Sequence, residues 1–250
     1  MLTADTLLRT LLGIAVLAAI TTTVLTLARV PRVLAPALAI LRGAVQLALL
    51  SVVLSGVITD PRWVVLALAV MTAVAATTSA QRLGGLHRLR LVGAGMLAGI
   101  GISLLVVFAT GAIEPTARYA LAIGGIVVGN AMTSATLAGR RVLQATDDRW
   151  EEIEGWLALG ATPRRATLPI ARHALREAVV PVTDQTRTTG LVTLPGAFVG
   201  AIFGGISPLE AGRFQIVVLA ALMATAAVTA TTVAFTLAPR ARKGEAAALR

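Results

Sequence analysis

The sequence predicts an all-α fold: a polytopic transmembrane helix bundle of about seven spans, N-terminus outside and C-terminus inside, with a cytoplasmic loop that docks a partner. Three observations carry this. Of the 250 residues, 56% are apolar and only 14% are charged, against about 45–50% and about 25% in soluble globular chains. The apolar residues come in runs near the roughly 20 needed to cross the hydrocarbon core. The basic residues sit between those runs, as in multi-pass membrane proteins. This composition excludes an ordinary soluble enzyme and a disordered chain. The net charge of +10 does not indicate nucleic acid as a partner, because it lies on no soluble basic face. Cysteine is absent, which removes disulfides, thiolate metal sites and thiol nucleophiles.

The spans fall at 7–28, 38–58, 63–80, 91–110, 119–138, 188–206 and 214–238. The first exceeds the length of a signal-peptide apolar region, has Asp5 ahead of Arg9 and lacks a clear cleavage site, so it reads as a retained helix. The second carries Arg42 and Gln46 four residues apart, on one helical face. The third is short and ends in Thr77, Thr78 and Ser79. The fourth holds Gly95 and Gly99, and the fifth Gly125 and Gly129, at the spacing that lets helices approach closely. Asn130 lies mid-way along the fifth. The sixth is interrupted by Pro195 and a stripe of Gly196, Gly200 and Gly204, a candidate hinge or packing seam. It is expected to span, since neighbours or water can satisfy a broken helix, with a re-entrant segment as the alternative. The seventh is uninterrupted. No repeat or composition shift divides the chain, so residues 1–250 read as one transmembrane domain with a basic tail at 239–250.

Orientation follows from the arginines. With the N-terminus outside, 17 of the 22 basic residues fall on the inner side, four fall outside, and Arg42 lies within a span. The positive-inside rule therefore gives N-out, C-in, in a plasma (inner) membrane.

Polar groups within or beside spans are costly in lipid and mark candidate pathways. Here they are Arg42, Gln46, Asn130, Asp184 and Gln185. Each has a structural alternative. Arg42 can snorkel to the headgroups. Gln46 and Asn130 can bond across helices. Asp184 can pair with Arg187 or Arg42.

The longest polar stretch, 139–187, reads as helix, tight turn, helix. Trp150, Ile153, Trp156 and Leu157 recur at helical spacing among Asp147, Asp148, Glu151, Glu152 and Glu154. Gly160 suits a left-handed helix end, and Thr162 and Pro163 suit the cap and first position of a second helix running to about residue 180, bent at Pro169. The acidic cluster opposes adsorption to a negative leaflet, which leaves a protein-docking surface.

No catalytic machinery is legible. The lone lysine, Lys243, follows no phosphate-binding glycine pattern, and neither a GxSxG elbow nor an HExxH motif occurs. His87 and His173 read as solvent-facing or docking residues. The chain is expected to be a transport subunit rather than an enzyme, binding no cofactor of its own. The spans contain no Asp or Glu, and Glu114 and Glu210 fall in outer loops, so hard-cation ligands are not assigned. The competing classes are a stand-alone carrier or channel and a non-transporting scaffold. A carrier coupled to ions would need more than Arg42 inside the membrane.

The run Glu154-Gly-Trp-Leu-Ala-Leu-Gly160 has Glu and Gly at the spacing of the EAA-xxx-G loop of ABC importer permeases. The downstream Ile-x-Leu-Pro of that loop is not kept, since Ala171, Arg172 and His173 follow Ile170. Arg42-Gly-Ala-Val-Gln-Leu47, Gly129-Asn-Ala-Met132, Leu159-Gly-Ala-Thr-Pro163, Pro181-Val-Thr-Asp184, Thr189-Gly-Leu-Val-Thr-Leu-Pro-Gly196 and Phe214-Gln-Ile216 occur in order. Together they resemble the FetB-type permease family over roughly 38–238. The resemblance implies a permease paired with a separate ATPase that uses the ATP, and two copies of each. It implies a link to iron export in bacteria. Plant relatives are aluminium-tolerance proteins connected with nucleotide-sugar transport. It also implies that Glu154, Leu159, Gly160, Ala161, Thr162 and Pro163 form the helix and turn that couple to the ATPase.

Overall fold

The computed structural model describes residues 4–57 and 60–249. Nearly everything in it is helix, and among the described residues the only extended pairing is a lone bridge between Thr189 and Thr193. The ten α-helices are α1 (Ala4–Leu27), α2 (Ala35–Val57), α3 (Pro61–Arg82), α4 (Leu89–Ala109), α5 (Ala117–Asp148), α6 (Trp150–Ala158), α7 (Pro163–Ala166), α8 (Leu168–Thr188), α9 (Gly196–Phe203) and α10 (Pro208–Leu237). Among the described residues, five stretches are long and apolar enough to cross a membrane, lying in α1, α3, α4, α5 and α10. The expected membrane bundle is therefore present, and its count of seven is approximate. The last residue of the expected second span, Ile58, lies outside the described residues, as does Arg250 of the tail.

The chain divides into two compact units, Met1–Val57 and Ile58–Arg250. In the first, α1 and α2 form a hairpin whose turn holds Arg29 and Arg32 at positive φ. The threonines of α1 hide their hydroxyls: Thr10, Thr21, Thr22 and Thr26 each donate to a carbonyl four residues back at 2.7–2.9 Å. That device lets polar residues sit in an apolar helix.

In the second unit α4, α5 and α10 pack on one another, with α3 and α8 against them. Their core is built of alanine, valine and glycine more than of large side chains. Gly95 and Gly99 form the α4–α10 seam. A Cβ on Gly99 would lie 2.3 Å from Thr229 Oγ1 and 2.9 Å from the Thr225 carbonyl. On α5 the close approaches are Gly124 against Leu68 and Gly139 against Leu83. Of the expected pair, Gly125 only touches Met71, and Gly129 faces open space. Hydroxyls tie the same seams: Thr225 meets Ser103 at 2.8 Å, and Ser79 meets Thr136 at 2.5 Å and donates to the Met132 carbonyl at 3.0 Å.

The arginine-rich connections gather at one end of this unit. Arg88 pairs with Glu245 at 2.9 Å, Arg141 lies 3.7 Å from Glu177, and Asp147 holds the tail. At the opposite end Arg213 donates to the Ala112 carbonyl at 3.3 Å. The α3–α4 connection, the end of α5 and the tail thus share one end, as the arginine count has them, whereas Arg172, Arg176 and Arg187 lie along α8 and not in a loop at that end.

The segment at 188–206 departs from expectation. It is not one spanning helix. α8 already fills that place, 20 residues earlier, beside α5 and α10. Ala171 and Ala174 join the cluster of Ala234 and Leu237, Ala178 and Val182 join the main core, and Thr183 Oγ1 lies 3.7 Å from Met223 Sδ. α8 therefore runs antiparallel to the apolar length of α10. It ends where Gly190 takes φ +85° and Pro195, without an N–H, starts the short α9. The polar stretch expected over 139–187 is correspondingly shorter. α5 continues to Asp148, and the second helix breaks at Thr167, so Pro169 opens α8 instead of bending it. A Cβ added at Gly196 or Gly200 would meet nothing within 4 Å, and one at Gly204 only its own helix, so among the described residues this stripe is not a close helix seam.

Gly99→Ala should lower the detergent unfolding temperature, at a cost of about 1–3 kcal/mol for the overpacked seam. Gly129→Ala, with open space around its Cβ, should leave it unchanged or slightly raised.

Candidate functional site

Two features of the second unit carry chemistry: a rigid hairpin tip and a polar groove. The tip starts from α5, 32 residues long, or about 48 Å at 1.5 Å per residue. It runs without interruption from the core to Asp148. α6 follows after Arg149, whose side chain lies 2.6 Å from Glu152. The turn closes as expected. Gly160 adopts φ +84°, the Thr162 hydroxyl accepts from the Arg165 N–H at 3.4 Å, and Pro163 opens α7. Ile153, Ala166 and Ile170 make a small core with Ala145 and Trp150, which binds α6 and α7 to α5 and α8. The tip itself is bare. Leu159 is 83% exposed and Trp156 51%. Gly160, Thr162 and Pro163 are exposed, and Ala161 is half-buried. Glu154 is exposed and makes no ion pair among the described residues. The tip is thus an exposed apolar point flanked by Glu151, Glu152 and Glu154 on α6 and by Arg164 and Arg165 on α7, the kind of surface on which large apolar side chains gain most when a partner covers them.

The groove lies between α8 and α10. It is an open groove of about 440 Å³ whose wall is mostly apolar, from Leu175, Val179, Val180 and Ala227, with Arg176, Thr183, Asp184, Arg187 and Thr231 along it. Positions 176, 180, 183, 184 and 187 share one helical face. The opposite face of α8, Ile170, Ala171, Ala174, Ala178 and Val182, is buried in the bundle. α8 thus presents two arginines and an aspartate beside the apolar length of α10. A polar stripe at that depth faces water or another protein surface, not lipid.

Of the residues singled out as a pathway, only Asp184 lines this groove, 3.9 Å from Arg187. Gln185, next to it, is exposed, and its backbone carbonyl accepts from Thr189 Oγ1 at 2.7 Å. Asn130 instead donates across to the Leu222 carbonyl at 2.8 Å, joining α5 to α10. Arg42 and Gln46 lie exposed on α2 in the first unit. Pro195 caps α9 and stands at a helix junction. Arg176, Arg187 and Thr231 were not singled out. The spacing of 176, 180, 183 and 187 would have revealed the stripe had 168–187 been read as a bundle helix. Among the described residues no group of three or more His, Asp or Glu side chains is placed to hold a metal ion.

The sequence model of an uncharacterised protein family, UPF0014, matches residues 8–241. The chain belongs to the UPF0014 family. It is 39% identical over 197 residues to Protein ALUMINUM SENSITIVE 3 of Arabidopsis thaliana, covering 76% of this chain and 71% of that one. It is 37% identical over 193 residues to the UPF0014 membrane protein STAR2 of Oryza sativa subsp. japonica, covering 76% and 68%. It is 38% identical over 128 residues to the Probable iron export permease protein FetB of Escherichia coli, covering 51% and 49%. No solved structure matches. The resemblance expected from the scattered motifs is thus a family membership, and the UPF0014 match extends into α1, where only hydropathy had agreed. The chain is a membrane protein of this family.

Asn130→Ala should cost about 0.6–1.7 kcal/mol, the range for interhelical hydrogen bonds in lipid. Thermal unfolding in detergent should show that loss while the protein still inserts, marking Asn130 as a packing residue.

Proposed function

We propose that this chain is the membrane subunit of an ABC transporter, driven by a separate ATPase and assembled as a pair of permeases in the plasma (inner) membrane. The single observation that carries this is the hairpin tip: an exposed apolar point joined through α6 and α7 to the ends of α5 and α8. A push on Leu159 or Gly160 is transmitted because Ile153, Ala166 and Ile170 lock α6 and α7 to those helices. The E. coli relative named as a probable iron export permease supports the same reading. ATP is used by the partner.

The cargo runs along the α8–α10 groove. Arg176 and Arg187 outnumber Asp184 there, so the groove suits an anion. A bare hard cation needs several oxygen ligands, which one carboxylate does not supply. Iron or another metal therefore travels as a complex of net negative charge, and a nucleotide sugar meets the same requirement. The pair of chains closes the polar stripe away from lipid.

Co-purification from native membranes should bring an ATPase subunit in equal amount. Leu159→Asp and Gly160→Asp should each cost about 2 kcal/mol or more of docking, some 30-fold in affinity. ATPase stimulation should collapse while the protein still inserts, and Leu159→Asp, which leaves the strained turn at Gly160 untouched, should unfold near the normal temperature. Normal transport by Gly160→Asp would refute the docking assignment. A single-chain particle with no ATPase would favour a carrier or scaffold.

A further inference from the structure

At the arginine-rich end of the second unit lies a second cavity of about 620 Å³, separate from the groove and the tip. We propose that it binds a phosphoryl group, with the headgroup of an anionic phospholipid as its source. Three segments converge on it. Arg88 and Arg90 come from the start of α4, Arg240 from just beyond α10, and Arg242 from the tail. Against these four guanidinium groups stands one carboxylate, Glu245.

Glu245 is already committed. It pairs with Arg88 at 2.9 Å and accepts the Arg242 backbone N–H at 3.1 Å. Arg88 is 7% exposed and also donates to the Leu83 carbonyl. The tail that delivers Glu245 is fixed independently, because the Asp147 carboxylate accepts from the Gly244 and Ala246 N–H groups at 2.8 and 3.1 Å. The cavity wall is therefore built before any ligand arrives. Arg240 rests one nitrogen on the Thr236 carbonyl at 2.7 Å. The side chains of Arg90 and Arg242 have no partner among the described residues. Cations converging at a membrane edge repel one another unless an anion sits between them. Guanidinium groups match phosphate oxygens in geometry as well as charge.

The apolar lining selects the source. Leu91 and Leu237 also line the cavity, at the ends of two apolar helices; Leu237 is packed into the bundle, so the half-buried Leu91 supplies the open apolar surface. A ligand with a phosphate head and an acyl tail satisfies both surfaces. A general excess of inner arginines does not account for this, because Arg82 and Arg140 lie exposed outside the cavity.

The full chain should be reconstituted in nanodiscs of phosphatidylcholine alone and with phosphatidylglycerol, and retained lipid counted by native mass spectrometry. The wild type should keep one phosphatidylglycerol per chain in preference to phosphatidylcholine. Arg90→Gln with Arg242→Gln should lower that retention at least about tenfold, while Arg82→Gln with Arg140→Gln keeps it. Inorganic phosphate, titrated against chloride at equal ionic strength in phosphatidylcholine nanodiscs, separates the sources. A thermal shift with phosphate that the first pair abolishes supports phosphoryl recognition with a soluble source. Equal loss in both pairs, or no wild-type preference for either ligand, overturns the proposal, and the wild-type titrations decide this without any variant.

Discussion

Close approach without a hydrophobic drive is the constraint on which the second unit depends. Lipid offers helices nothing to escape from, so association rests on van der Waals contact and on polar groups finding partners. The α4–α10 seam meets that constraint at Gly99, where no side chain beyond hydrogen fits beside Thr229 and Thr225. The Thr225–Ser103 bond and the Asn130–Leu222 bond lie in the same packed region. α3 is drawn in by the same means, with Leu68 and Leu83 seated on Gly124 and Gly139.

That frame gives the tip its leverage. Because α5 is held along the seam and continues unbroken to Asp148, the tip and the core move as one lever. The groove lies on the other helix of the hairpin, α8. The exposed tip and the groove are thus carried by the same pair of helices, which is the connection a coupled motion would need. The basic cavity stands apart from this lever, joined to it through Asp147 at the end of α5.

Much of this was legible in the residues, and the exceptions share a cause. Long apolar runs announced α1, α2, α3, α4, α5 and α10. Gly160, Thr162 and Pro163 announced the turn, because the torsion and capping needs there are local. α8 was legible as a helix to about residue 180, but not as a helix of the bundle. Its mean apolarity is low, since only the face of Ile170, Ala174, Ala178 and Val182 meets the bundle. Average hydropathy registers the whole circumference, so a helix half in the core and half on a groove does not read as a span. The stretch at 188–206 then read as the span it is not. Likewise Gly124 and Gly139 lack the pair spacing that drew attention to Gly125 and Gly129. Their role depends on which side chain of α3 arrives opposite, which spacing does not encode.

The composition of α8 also bears on how the chain is made. A segment carrying Arg172, Arg176, Glu177, Asp184 and Arg187 has an unfavourable energy for entering lipid by itself. Its membrane position depends on neighbours already present to receive its small-residue face. α5 is synthesised before it and α10 after it, and both pack along it. The stable place of α8 therefore requires both neighbours, and deleting α10 should cost the chain α8 as well. The polarity that fits this helix for a groove thus makes its membrane position a property of the whole bundle.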